Sequence, residues 1–407
     1  MKDHSQSAGK TNVLVIGAGA SGIAAAIAAA RRGAQVRIVE RLNACAKKLL
    51  ASGGGKCNLF NRHWEEKYFN RAARALVRSV FAQGASRLVP EFFTGLGLQV
   101  YADADRFFPR SNQAATVVKL LEFELQRLEI PVAYGCQVMS VNPVAGGFKV
   151  SGPPGQSFVA DRLVLAAGGA SYPALGSNGS GFELAQRLGH TIIAPVPAAV
   201  PLAAKDKLCH LLQGQKIAVS LRALRKQTVI AEADGELLFT QYGLSGTAAL
   251  DVSREISVAI NREGAGDIIV SADCVPWMSA QELAGELQRK IDAGFRPDEL
   301  LVGILPNKAA RAFAPGTLDF SAGSLAQALK NRMFAVHATR GWNEAEFTAG
   351  GVDTAEVDPV TLGSRRRPGV YLCGEVLDVD GCRGGHNLAW AWASGLLAGD
   401  SACGTDR

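Results

Sequence analysis

The stretch 13–40 constrains most strongly what this chain folds into. Val13-Leu14-Val15-Ile16 is a short all-apolar run, of the kind buried on both faces in a parallel sheet. It leads into Gly17-Ala18-Gly19-Ala20-Ser21-Gly22 and then an Ala-rich segment reaching about Arg32. Gly33 ends that helix, as a glycine just past a C-terminus does. A second apolar run, 36–39, closes on Glu40. Strand, turn, helix and strand make a βαβ unit of about 30 residues. In that setting Gly17-x-Gly19-x-x-Gly22 is a dinucleotide fingerprint. Gly17 makes the tight turn, Gly19 lets the backbone approach a pyrophosphate, and Gly22 lets helix and strand pack closely. The phosphates then lie over Ala20, Ser21 and Gly22, where free N–H groups and the positive end of the helix dipole point. Glu40, with Arg41 beside it, is placed to accept hydrogen bonds from a ribose diol and to repel a 2′-phosphate. The fingerprint alone leaves FAD and NAD open.

The rest of the chain decides for FAD, held non-covalently. A second Gly-rich loop, Ser52-Gly53-Gly54-Gly55-Lys56-Cys57-Asn58, follows soon after, preceded by Lys48. A strand near Val138, a strand at 163–167 closed by Ala167-Gly168-Gly169, and a strand at 370–373 followed by Gly374-Glu375 add further strand ends. Several strand ends meeting one long ligand is what an extended flavin dinucleotide needs. Glu375 is placed to bind ribityl or ribose hydroxyls. No second G-x-G-x-x-G follows a strand, and the glycines at 176–181 have another spacing. The electron donor is therefore the substrate itself or an NAD(P)H that docks transiently.

Composition excludes other classes. The chain has 407 residues, 48% hydrophobic and 20% charged, an ordinary globular balance. Its net charge of +6 is spread along the chain, so nucleic acid is not an expected partner, and Arg365-Arg366-Arg367 is read as a solvated loop. Eight cysteines include no C-x-x-C pair and no cluster with His, so reduced thiols and no metal are expected. Residues 1–10 are polar with no apolar core, and the longest apolar run, 23–30, is too short to span a bilayer. A cytoplasmic protein without a membrane segment is expected.

Residues 70–130 read as mostly helical, and Gly146-Gly147 as the turn of a hairpin. At 194 the texture changes. Pro195, Pro197 and Pro201 mark a linker, short strands follow at 216–221, 228–231, 237–240 and 267–270, and 280–335 reads helical. The Gly-rich style returns at 347, in a segment too short to fold alone. An α/β, Rossmann-like FAD-binding domain of segments 1–193 and 347–407, interrupted by an insert at 194–346, is the expected organisation. The last helix, 387–397, should open on Gly384-Gly385 and aim its N-terminus at the N1–C2=O edge of the flavin.

Several blocks resemble one family. They are 15–22, 48–58, 106–109, 168–177, 235–246, 374–381 and 384–388. Together they are similar to the YhiN/BaiN-type FAD-dependent oxidoreductases, a group that includes aminoacetone oxidase. The resemblance implies an insert made of a small β-barrel and a helical part. It also implies that 53–58 and Gly384, Gly385, Asn387 and Leu388 border the flavin ring. This chain departs from the family pattern at Ala170 and at His386. His386 is the candidate catalytic residue, as a proton acceptor or flavin-edge donor. Tyr172 and Tyr242 are candidate substrate-pocket side chains, and Cys57 is read as a buried thiol. The expected reaction passes hydride between flavin N5 and a small metabolite, such as an amine, or NAD(P)H. A tRNA-modifying flavoprotein and a flavin-binding protein without turnover are the alternatives.

Overall fold

The computed structural model describes residues 11–314 and 320–404, so the polar segment 1–10 lies outside the described residues. These residues form two compact units, one running up to Pro195 and resuming at Phe347, the other Val196–Glu346. Each has its own apolar core.

The first unit is built on strand β1 (Thr11–Ile16), helix α1 (Ala20–Arg31) and strand β2 (Val36–Val39). β1 lies between β2 and the strand Ser157–Leu165, parallel to both. Val132–Ala133 extends the parallel sheet beyond β2, and Val370–Leu372 extends it beyond Ser157–Leu165. The hairpin Ser140–Val144 and Gly147–Ser151 joins antiparallel to the first half of Ser157–Leu165. The register places Ile16 beside Leu165 and Leu165 beside Leu372. Three chain segments thus leave the carboxyl edge of the sheet side by side, at Gly17, Ala166 and Cys373. Ligands of open α/β sheets bind at that edge.

The last helix, His386–Ala402, packs on α1 through glycines. A Cβ on Gly399 would overlap the Ala25 carbonyl, and one on Gly395 that of Ser21. Trp390 and Trp392 on this helix are fully buried and donate to the carbonyls of Gly374 and Leu59.

The second unit is a closed six-stranded antiparallel barrel, in the order Leu202–Ala204, Gly243–Ser245, Thr228–Thr240, Lys216–Arg225, Ile268–Asp273, Arg332–Thr339. Its interior is filled by its own side chains, among them Val219, Leu221, Phe239, Val270 and Phe334. Helices Thr247–Ser257, Ala280–Asp292, Asn307–Phe313 and Ala322–Lys330 complete it. The expected α/β, Rossmann-like architecture with a barrel and a helical part in the insert is borne out.

Three expectations need correction. The helical reading of 70–130 is broken by strands Val100–Asp103 and Arg106–Pro109, which pair with each other and with Phe60–Asn61. The proline-marked linker is a strand, Ile192–Ala198, paired with Phe347–Val352. It tolerates Pro195 and Pro197 because a two-stranded ribbon leaves one side of each strand unpaired. The strands expected at 228–231 and 237–240 are one, Thr228–Thr240. Its Gly235 is required by the close pass of Thr247, not by a turn.

Candidate functional site

The turn between β1 and α1 uses its three glycines differently. A Cβ on Gly22 would overlap the Gly17 carbonyl oxygen, and one on Gly17 would lie 2.9 Å from the Ala166 carbonyl carbon. Those two glycines serve the protein's own packing. A Cβ on Gly19 would meet nothing within 4 Å. Gly19 is also the N-cap of α1, and no side chain caps that helix. A cradle that a Cβ would fill therefore lies at a helix start whose first N–H groups have no side-chain partner. That arrangement fits a phosphate. Ser21 is buried, and its hydroxyl packs where a Cβ of Gly374 would be, so it supports that strand end.

Beside this turn lies a small open pocket, lined among others by Gly17, Glu40, Arg41, Val138 and Ala167. The Glu40 carboxylate is held by two backbone donors, Ala18 N–H at 2.7 Å and Leu42 N–H at 2.8 Å. Each oxygen keeps a further lone pair for a hydroxyl. Arg41 donates from Nη2 to the Pro173 carbonyl at 3.2 Å, and its buried Nε has no partner.

In the loop 52–58, Gly53, Gly54 and Gly55 take φ of +57°, +63° and +88°, and a Cβ on Gly54 or Gly55 would meet nothing within 4 Å. Glycine takes this left-handed conformation without strain, and the missing side chains leave the backbone of Gly54 and Gly55 open to close approach. Ser52 Oγ donates to the Leu49 carbonyl at 2.7 Å, and Lys56 is exposed. Cys57 is fully buried, and burial pushes its thiol up to about 12, so it stays protonated and unreactive at neutral pH. The buried Asn58 Oδ1 has no hydrogen-bond partner among the described residues, an acceptor open to a further donor.

Glu375 is not the open acid that its position suggested. Its Oε1 accepts from Thr348 N–H at 2.7 Å and Ser171 Oγ at 3.1 Å, and its Oε2 from Lys48 Nζ at 2.8 Å. Gly169 packs against Thr348 and Glu375, and Gly168 sits against Ser177.

At the start of the last helix, Gly385 is the N-cap with φ +102°, again without a side-chain cap. A Cβ there would lie 2.8 Å from both Asn58 Oδ1 and the Phe60 carbonyl carbon. The missing side chain of Gly385 thus permits a close approach to the chain at 58–60. Asn61 Nδ2 donates to the Gly384 carbonyl at 2.9 Å. Asn387 spends its amide on Gly381, accepting from its N–H at 2.9 Å and donating to its carbonyl at 2.8 Å, so its side chain braces the preceding loop. Leu388 packs against the core.

His386 is buried. Its ring stacks on Tyr68 at 4.5 Å between centroids and meets Phe69 edge-on at 6.0 Å. Burial, with His63 nearby, lowers its pKa to about 4, so the ring is neutral at pH 7. Its buried Nδ1 has no partner. A base this weak holds a hydrogen bond better than it holds a proton. Tyr172, with φ +54°, sits in the loop after Gly169. Tyr242 belongs to the second unit, where the Arg340 guanidinium lies 4.7 Å from its ring centroid.

Sequence reading missed Ser171, Thr348, Asn61 and Tyr68. Ser171 and Thr348 each sit in a Gly-rich block already singled out, which was the available signal.

Residues 11–401 match the model of the family described as HI0933-like protein Rossmann domain. The chain is 38% identical, over 95% of its length and 98% of the relative's, to 3-dehydro-bile acid delta(4,6)-reductase of Clostridium scindens. It is 28% identical, over 94% and 96%, to ribosomal RNA dihydrouridine synthase of Escherichia coli. Among solved structures, 3-ketosteroid delta1-dehydrogenase of Sterolibacterium denitrificans shares the fold, with a TM-score of 0.54 at 14% identity, over 97% of this chain and 99% of that one. The resemblance carried by the Gly-rich blocks is borne out: the chain belongs to the HI0933-like family and is an FAD-dependent oxidoreductase.

Proposed function

We propose that this protein is a reductase of carbon–carbon double bonds conjugated to a carbonyl. The observation that carries the reading is that two relatives of different substrate share one bond chemistry. A 3-oxo acid with Δ4 and Δ6 double bonds is a conjugated dienone. Uridine becomes dihydrouridine by reduction of the ring double bond conjugated to its C4 carbonyl. In both, a hydride adds to the carbon remote from the carbonyl and a proton adds to the adjacent one. FAD, when bound, would supply the hydride chemistry that such a reduction needs, with NAD(P)H as the reductant and solvent as the source of the proton.

The chain's part is to hold and tune. The cradle at Gly19 and the start of α1 would hold the pyrophosphate, and Glu40 with the pocket of Val138 and Arg41 would hold the adenosine. The loop 52–58 and the uncapped start of the last helix would border the ring. Backbone N–H groups at an uncapped helix start favour negative charge developing there. Asn58 Oδ1 offers an acceptor to a ring N–H. His386, neutral and stacked, would be a hydrogen-bonding neighbour rather than the proton source.

The substrate is a small conjugated ketone, the class of the relative with higher identity. Uridine within RNA is the second reading, favoured by the name of the relative at 28% identity. The test is anaerobic: reduce the protein with NADH or NADPH and follow recovery of the oxidised flavin band. The conjugated-ketone reading expects reoxidation by 3-oxo-4-ene and 3-oxo-4,6-diene steroids and none by the saturated ketones. Reoxidation by an unmodified ribosomal RNA fragment alone would move the assignment to RNA. No reoxidation by either acceptor would contradict the proposal.

A further inference from the structure

We infer that Lys48, Ser171, Thr348 and Glu375 form a positioning clasp that sets the ligand-binding loops of the first unit, and that Lys48 and Glu375 are not themselves ligands of the cofactor. The inference rests on the proposed flavin site, and it reassigns two residues that their position alone would make cofactor ligands.

The four residues come from four separate segments. Lys48 lies in the short helix Lys47–Ala51 just before the Gly-rich loop, and Ser171 follows Gly168-Gly169. Thr348 is in the strand Phe347–Val352, and Glu375 follows the strand Val370–Leu372. Lys48 Nζ donates to Ser171 Oγ at 2.6 Å and to Glu375 Oε2 at 2.8 Å. Ser171 Oγ and Thr348 N–H donate to Glu375 Oε1 at 3.1 and 2.7 Å. Thr348 Oγ1 accepts from the N–H groups of Ala170 and Ser171 at 2.8 and 3.3 Å. One acid, one base, two hydroxyls and three backbone N–H groups close on themselves.

Two features separate this arrangement from a ligand shell. The carboxylate takes three donors from the protein and the ammonium two acceptors, so each charge finds its counter-charge inside the clasp. Space is also taken up: a Cβ on Gly169 would overlap Thr348 Oγ1 and lie 2.9 Å from Glu375 Cδ. Gly169 is thus a glycine because the clasp passes over it. The side chains of Lys48 and Glu375 are about three-quarters covered, 27% and 23% exposed, so the pair is only partly screened by water. The clasp fixes where the chain goes after Leu165, the strand end beside Gly17, and after Leu372, the strand end beside Leu165.

The test is a double-mutant cycle on FAD affinity, read by titrating apoprotein with FAD. Lys48→Met and Glu375→Gln should each weaken binding roughly tenfold or more, because each leaves the other's charge without its partner. The double variant should bind no more weakly than the worse single, since the two act through one contact. Lys48→Arg should recover much of the loss. Residues that each touch the cofactor would instead give losses that multiply. Multiplying losses, or singles that bind FAD like wild type, would overturn the clasp. Wild-type protein that takes up no FAD is a distinct outcome, which would overturn the flavin-site reading and with it the clasp's role. Thermal midpoints of the apo variants, measured alongside, show whether a loss of affinity is only unfolding.

Discussion

His386 shows how burial changes a residue's chemistry. Free histidine titrates near 6.5, but under the Tyr68 ring this one is held to about 4. Its folded pKa lies below its unfolded one, so between pH 6.5 and 4 the unfolded chain takes up the proton first. Stability from this residue is therefore complete above pH 6.5 and is lost as pH falls toward 4. Replacing it with Phe keeps the stacked ring and removes the titration. His386→Phe should flatten the fall of the thermal midpoint across that window, by the equivalent of about 3 kcal/mol at most. It should leave FAD bound and leave the pH profile of turnover above pH 6 in place. An unchanged acid slope, or loss of an activity limb near neutrality, would contradict the assignment.

At the scale of elements, the start of α1 offers a clean separation of folding from binding. Gly19 and Gly22 lie three residues apart, yet one faces open space and the other the Gly17 carbonyl. Gly19→Ala should leave the apoprotein's stability within about 1 kcal/mol of wild type while weakening FAD binding at least tenfold. Gly22→Ala should lower the midpoint itself, because the Cβ has no room. Midpoints of the two apo variants and FAD titrations decide it.

A second element-level feature joins the segments that flank the insert. The buried Glu356, just past the strand Phe347–Val352, accepts from Thr191 N–H and Oγ1, both at 2.9 Å, and from Arg366 Nη2 at 2.7 Å, and it faces His190 Nδ1 at 3.1 Å. These partners hold its carboxyl down at about 2. Its contribution is thus present above about pH 4.5 and lost as pH falls toward 2. Glu356→Gln should cost about 3 kcal/mol of stability at pH 7, measured by urea unfolding, with the difference shrinking in acid.

Across the whole molecule, the two separate cores mean that the second unit can be removed without cutting the first. Its strands of exit and return, Ile192–Ala198 and Phe347–Val352, pair with each other, so a short linker can replace 196–346. The excised protein should stay yellow, because every residue proposed to hold the flavin lies in the first unit. A colourless excised protein that is folded would contradict that placement.

The fold was legible where glycine and period agreed. The βαβ unit announced itself through an apolar run, three glycines at fixed spacing and an acid. The barrel was less visible: Leu202–Ala204 and Gly243–Ser245 are three residues each, too short to show alternation. The strand Ile192–Ala198 was hidden by its prolines. In the site, single strand ends could be read, but the clasp could not. Its partners are 123 and 327 residues apart, on a helix, a loop and two strand ends that only the folded first unit brings together.

The central claim, that the first unit holds one FAD through packing and hydrogen bonds, is tested most directly by acid precipitation of the purified protein. Chromatography of the supernatant should show FAD at about one per chain, with a colourless pellet. FMN in the supernatant, or flavin retained on the precipitated chain, would contradict it.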